Sequence, residues 1–198
     1  MTQDAPDVFG LVLAGGKSTR MGQDKAAMEW QGQRWLDRAV AAIAGAVPEV
    51  FVSMRDHSPV EAGDNLVIRD QFSNLGPAAG ILSAHVQFPD NAWLVVACDM
   101  PLLSALIIRQ LVAARNPLAD ATAMAAGPAE PAEPLCTIYE PATLAAFLAQ
   151  VRAGGDSSPR NWLATVRTTK VIAAGAAALT NINTPDEWAR LSNRTDGS

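Results

Sequence analysis

LAGGKSTRMGQDK, Leu13 to Lys25, follows directly on the apolar run Val8 to Leu13. Two glycines, a hydroxyl pair and three cations therefore leave the end of one strand together. Gly15 and Gly16 lack a Cβ, so the chain bends sharply there and its N–H groups approach an anion closely. Lys17, Arg20 and Lys25 add positive charge to the same few ångströms. Such a backbone suits a polyphosphate; a strand-to-helix turn whose cations serve only solubility is the weaker alternative.

Spacing excludes two familiar phosphate loops. A P-loop ending at Gly16-Lys17-Ser18 needs a glycine where this chain has Leu11, with Gly10 one residue out of register. The dinucleotide fingerprint fails as well, because Gly15 and Gly16 are adjacent and the next glycine is Gly22. A glycine loop of a different design remains.

Outward from the loop, apolar strand-like runs alternate with helical patterns, which predicts βαβ units and a mainly parallel sheet. Strands are expected at Val8 to Leu13, Glu49 to Met54, Leu66 to Arg69, Trp93 to Cys98, Ala121 to Ala126, Leu135 to Tyr139 and Lys170 to Ala173. Helices are expected at Arg34 to Ala46, from Pro77, at Ala105 to Ala114, Ala142 to Arg152, Ser158 to Val166 and Pro185 to Leu191. The Pro- and Glu-rich stretch Gly127 to Pro134 reads as a loop between two strands. The fold class that follows is α/β: a Rossmann-like, three-layer α/β/α single domain over residues 8–191, with tails at 1–7 and 192–198.

At 198 residues, 49% hydrophobic and 18% charged, the chain can bury one sizeable core. A formal net charge of −5 with no long basic run argues against nucleic acid or an anionic membrane as partner. There is no run of about 18 apolar residues, and the MTQDAPD start is polar and acidic, so we expect a cytoplasmic protein. Cys98 and Cys136 lack metal-ligand spacing and are expected as reduced core thiols. His57 and His85 carry no sign of a nucleophile and base pair and are expected at surface or boundary positions.

Two aspartates end apolar strands. Asp99, after Trp93 to Cys98, would project from the carboxyl edge of the sheet, where open α/β folds bind ligands, and suits a hard cation such as Mg²⁺; capping the turn into Pro101 is its alternative role. Asp70, after Leu66 to Arg69, could accept hydrogen bonds from ribose hydroxyls or a base amine, take part in metal binding, or form an Asx turn.

LAGGKSTRMGQDK resembles the signature loop of the molybdenum cofactor guanylyltransferases, within the larger nucleotidyltransferase group. Further matches follow in order: Val67-Ile68-Arg69-Asp70, Gly76-Pro77-Ala78-Ala79-Gly80, Cys98-Asp99-Met100-Pro101, Glu133-Pro134-Leu135 with Tyr139, and Asn181-Ile182-Asn183-Thr184-Pro185. The resemblance implies transfer of GMP from GTP to the terminal phosphate of molybdopterin, with release of pyrophosphate and delivery to a molybdoenzyme or chaperone. It implies nucleotide contacts from Leu13, Ala14, Gly15, Gly16, Lys25, Asp70, Gly80 and Asp99, catalytic roles for Lys25, Arg20 and Asp99, and Mg²⁺ on Asp99. Asn181 and Asn183 fall on the acceptor side, near Pro134, Leu135 and Tyr139, although Asn183 or Thr184 can equally cap a helix at Pro185. Arg160 and Trp162 are weaker candidates.

The glycine pattern looks guanylyl, since cytidylyl relatives tend to carry LAAG; a CTP-dependent or sugar-phosphate transferase and a non-catalytic nucleotide-binding module are the alternatives. Ser53 departs from the asparagine often found there. A phosphomonoester is mostly ionised at neutral pH, with a second pKa near ~6, so this chemistry needs no strong protein base. Alignment and fixed cations suffice.

Overall fold

The computed structural model describes residues 5–14, 25–55, 62–182, 184 and 186–189. In chain order the elements are β1 (Val8–Leu13), β2 (Glu29–Trp30), β3 (Gln33–Arg34), α1 (Trp35–Ala44), β4 (Val50–Met54), β5 (Leu66–Arg69), α2 (Pro77–Gln87), β6 (Ala92–Ala97) and α3 (Ala105–Ala113). Then follow β7 (Ala121–Ala125), β8 (Ala132–Tyr139), α4 (Pro141–Arg152), α5 (Pro159–Thr165) and β9 (Thr168–Ile172).

Seven strands form one sheet in the order β5-β4-β1-β6-β8-β7-β9, while β2 and β3 make a separate hairpin. β8 alone runs against its neighbours β6 and β7, so the expected mainly parallel sheet is present. β6 is buried at all six positions, as a central strand covered on both faces must be.

Successive side chains of a strand point to opposite faces, and β1 divides accordingly. Val12 joins Leu36, Ile43, Val52, Leu94 and Ile108 under α1 and α3. Leu11 and Leu13 join Phe51, Ile81, Trp93 and Leu144 under α2 and α4. Helices cover both faces, giving three layers. α1 follows the same logic, burying Trp35, Leu36, Ala39, Ala42 and Ile43 at helical spacing.

Parallel packing brings the exits of β1, β4, β5 and β6 to one edge, and the antiparallel β8 enters from that same edge. At the opposite edge Arg115 grips Glu140 through two hydrogen bonds of 2.8 Å and donates to the Pro6 carbonyl at 2.7 Å.

Some boundaries differ from the sequence expectation. β8 begins at Ala132, so the proline-rich loop is shorter than Gly127 to Pro134; Pro134 has no N–H to give, but the partner strand β7 shifts register between Ala123 and Ala125, where a ladder bond is dispensable. β9 starts at Thr168 and not Lys170, because its pairing to β7 begins at Ala121. His85 is 5% exposed rather than at a boundary: α2 is buried continuously from Ala78 to His85, wedged between the sheet and α4. Burial holds the His85 imidazole below its ordinary pKa, and Asp90 offsets part of this. Cys98 and Cys136 are buried, as expected, and burial pushes the Cys136 thiol up.

Candidate active site

The carboxyl edge of the sheet brings together Leu13, Ala14, Asp70, Asp99 and Asn181. The Leu13 carbonyl accepts from the Cys98 N–H at 3.3 Å, and the Ala14 N–H donates to the Ser53 carbonyl at 3.2 Å. The chain thus enters the glycine loop with Asp99 on one side and β4 on the other. Gly15, Gly16, Arg20 and Asn183 lie outside the described residues. Lys25 opens a single 3₁₀ turn, Lys25–Ala27, before the β2–β3 hairpin.

Asp70 is fixed from two sides. Its N–H donates to the Met54 carbonyl at 3.0 Å, and the Ser53 hydroxyl donates to its Oδ1 at 2.7 Å. The next residue, Gln71, donates its N–H to the Ser83 hydroxyl of α2 at 2.8 Å. Ser53 is 2% exposed and reaches its aspartate because Gly80 gives it room. A Cβ at Gly80 would collide with Ser53 Oγ and stand 2.8 Å from Leu13 Cδ2. The missing side chain at Gly80 therefore serves close approach of α2 to β1 and β4.

Asp99 sits where β6 ends, and its backbone carbonyl accepts from the Ile182 N–H at 2.9 Å. That bond brings Asn181 to the same edge. Asn181 Oδ1 is buried and has no hydrogen-bond partner among the described residues. It lines a cavity of about 480 Å³ together with Gly76, Pro77, Glu133, Pro134 and Arg160. Gly76, at φ 57°, turns the chain into α2, whose positive N-terminal end faces this space.

Glu133 enters on β8 and lies close enough to Asp99 for the two carboxylates to repel. Burial holds the Glu133 carboxyl above the usual range, with Asp99 adding to the shift; the Leu135 N–H and Arg160 oppose it. Arg160, at the start of α5, meets the Glu133 carboxylate at 3.5 Å and keeps half of its side chain exposed. The Ser158 hydroxyl caps α5 by accepting from the Asn161 N–H at 3.3 Å.

Among the described residues no group of three or more His, Cys, Asp or Glu is arranged to hold a metal by itself. One carboxylate at a strand end, with oxygen ligands left to phosphate and water, is the donor set that suits Mg²⁺. Asp99 fits that role.

Apart from Lys25, whose turn packs against α1, the described expected residues form two groups, Leu13, Ala14, Asp70 and Gly80 around β1, β4 and α2, and Asp99 with Asn181 beyond β6. Pro134 and Leu135 line the cavity as expected, whereas Tyr139 is buried in the core and donates its hydroxyl to the Pro134 carbonyl at 2.9 Å. Trp162 belongs to the core layer too, stacked on Phe147 at 5.1 Å. The sequence carries no sign that Glu133 belongs to the site: its place near Asp99 follows from the antiparallel direction of β8.

An open α/β sheet with two strand-end aspartates and a cavity at its carboxyl edge has the form of a nucleotide-binding α/β protein, and the family it matches makes it a nucleotidyltransferase. The model of the MobA-like NTP transferase domain matches residues 10–171. A molybdenum cofactor guanylyltransferase of Xanthomonas euvesicatoria pv. vesicatoria is 35% identical, the alignment covering 92% of this chain and 93% of that protein. A molybdenum cofactor biosynthesis bifunctional protein of Synechocystis is 32% identical over 93% of this chain, which spans only 53% of that relative's length. Among solved structures, molybdopterin-guanine dinucleotide biosynthesis protein A of Archaeoglobus fulgidus shares the fold with a TM-score of 0.76 at 20% identity, covering 96% of this chain and all of that one. The chain belongs to the MobA-like NTP transferase family. No helix among the described residues is long and apolar enough to cross a membrane.

Proposed function

We propose that this nucleotidyltransferase moves GMP from GTP onto the terminal phosphate of molybdopterin, forming the guanine dinucleotide cofactor and pyrophosphate. The observation that supports the reading is the convergence at one sheet edge: β1 ends beside the strand that leads to Asp99, and the Ile182–Asp99 backbone bond brings Asn181 to the same edge. A nucleotide side and an acceptor side then meet across one carboxylate.

In this reading Leu13, Ala14, Gly15 and Gly16 give the backbone slot for base and phosphates, and Asp70 and Gly80 complete its wall. Lys25 and Arg20 hold the triphosphate. Asp99 would hold Mg²⁺, which when bound neutralises charge on the α-phosphate and the leaving pyrophosphate. Asn181 and Asn183 orient the acceptor, and Arg160, the one cation lining the cavity among the described residues, offers its guanidinium to the acceptor phosphate.

The acceptor's phosphate oxygen attacks the α-phosphorus of GTP. A new P–O bond forms as the bond from the α-phosphorus to the bridging oxygen breaks, and pyrophosphate carries away the electron pair. The acceptor is already ionised at neutral pH, so the protein's own residues need only align it and balance charge. The GTP reading is supported by the guanylyltransferase relatives, and the recipient of the product would be a molybdoenzyme or its chaperone.

The test is incubation of the full chain with Mg²⁺, molybdopterin and each of GTP, CTP and ATP in turn. A guanine dinucleotide and stoichiometric pyrophosphate from GTP alone is the expected outcome. A cytosine product, or none from GTP with a competent acceptor, contradicts the reading.

A further inference from the structure

Three tryptophans gather outside the sheet cores, next to the acceptor side. Trp30 ends β2 and Trp35 starts α1; with Ile182 they form a separate buried cluster that also takes in Met28, Leu102 and Trp188. Trp188 meets Trp30 edge-on at 6.3 Å and Trp35 at 5.2 Å. The Arg38 guanidinium lies 4.6 Å from the centroid of the Trp30 ring, and its Nη2 donates to the Pro101 carbonyl at 3.5 Å. The cluster therefore spans from the hairpin after Lys25 to the turn after Asp99.

The described residues beyond the 3₁₀ turn Ala176–Leu179 belong to no strand. The Ile182 N–H is bonded to the Asp99 carbonyl, and the Ile182 side chain, 3% exposed, is sunk in the tryptophan cluster. Thr184 and Glu187 then form a reciprocal capping box, the Thr184 N–H donating to Glu187 Oε2 at 3.0 Å and the Glu187 N–H to Thr184 Oγ1 at 3.2 Å. That box starts the turn 186–189 and presents Trp188 to the other two rings.

We propose that Trp188 is a positioning residue for the acceptor: by closing on Trp30 and Trp35 it fixes Ile182 on Asp99 and so sets Asn181 in the wall of the cavity. The inference rests on the functional reading above in placing the acceptor at Asn181. Trp188 is half-buried and stands apart from the clusters that fill the two faces of the sheet, so its loss leaves the strands that carry Leu13, Ala14 and Asp70 in place. What it releases is the segment that carries Asn181. The ring thereby acts on one substrate and not on the other.

The experiment uses the full chain and two variants, Trp188→Ala and Trp188→Phe. Without any substrate, amide exchange at Ile182 is expected to accelerate by about tenfold or more in Trp188→Ala and to stay near wild type in Trp188→Phe. In steady state, the KM for molybdopterin should rise by about tenfold or more in Trp188→Ala while the KM for GTP stays within about twofold, and Trp188→Phe should restore the acceptor KM. Undiminished protection of Ile182 in Trp188→Ala, an unchanged acceptor KM, or equal rises in both KM values overturns the proposal. A wild-type chain that makes no guanine dinucleotide overturns the functional reading instead, and the exchange measurement, which needs no substrate, then still decides whether Trp188 holds the segment.

Discussion

Ser53, Asp70 and Gly80 show how a single position can be set by its neighbours. The serine hydroxyl donates to the aspartate, and only a residue without Cβ at position 80 leaves it space. Gly80→Ala is expected to destabilise the fold by about 1–3 kcal/mol, because the added methyl meets Leu13 and Ser53 on fixed strands; urea unfolding measures it, and an unchanged midpoint would show that α2 can retreat. Gly80 was legible as a nucleotide residue only through a family pattern, whereas its packing role needs the register of β1 and β4. His85 gives a pH prediction. Its pKa is lowered by burial from the ordinary 6.5, so the unfolded chain takes up the proton first. Stability from this group is complete above pH 6.5 and is lost as pH falls from there toward the folded value. His85→Gln should flatten that part of the stability curve between pH 7.5 and 5.5; an identical slope in both proteins contradicts the assignment. The sequence carried no sign of this, since one histidine on an apolar helix face looks like any boundary residue.

At the scale of elements, strands with strong apolar runs were readable because burial on both faces leaves a continuous signal, as in Trp93 to Cys98. The hairpin of β2 and β3 left none: each strand has two residues, and the turn rests on Gln31 at φ 53° and Gly32 at φ 74°. Both central residues are left-handed, the pattern of a type I′ turn, and Gln at the first of them is an unusual choice. Gln31→Asn is expected to stabilise by a few tenths of a kcal/mol to about 1 kcal/mol, since asparagine tolerates that conformation better. Thermal unfolding reads it, and a lower midpoint would mean that Gln31 has a further role. The Asp99 strand and the Asn181 segment were each visible in the sequence. Their contact was not, because it depends on a cluster formed by tryptophans far apart in the chain.

Across the whole molecule, the groups proposed to face the ligands occupy one edge of the sheet and a structural lock the other. Arg115 and Glu140 are nearly buried, paired through two bonds and joined to the Pro6 carbonyl. Removing one partner strands the other charge, so Arg115→Ala should cost about 3–5 kcal/mol. A joint replacement by apolar residues of similar size should cost far less, and equal losses in both variants would rule out charge burial as the cause. This lock lies away from the aspartates of the carboxyl edge, so the GTP KM of a folded Arg115 variant should be unchanged. The three-layer plan was readable from alternation alone; the reversed direction of β8 was not, although it is what carries Glu133 and Pro134 to the site.

The most direct measurement is a crystal structure of the full chain with Mn²⁺ and a GTP analogue that cannot be cleaved between its α- and β-phosphates, using the anomalous signal of the metal. The ion is expected on the Asp99 carboxylate and on phosphate oxygens, with the base and ribose toward Leu13, Ala14 and Asp70 and the open face of the α-phosphate toward Asn181. A metal peak away from Asp99, or a nucleotide bound at another edge of the sheet, would contradict the account.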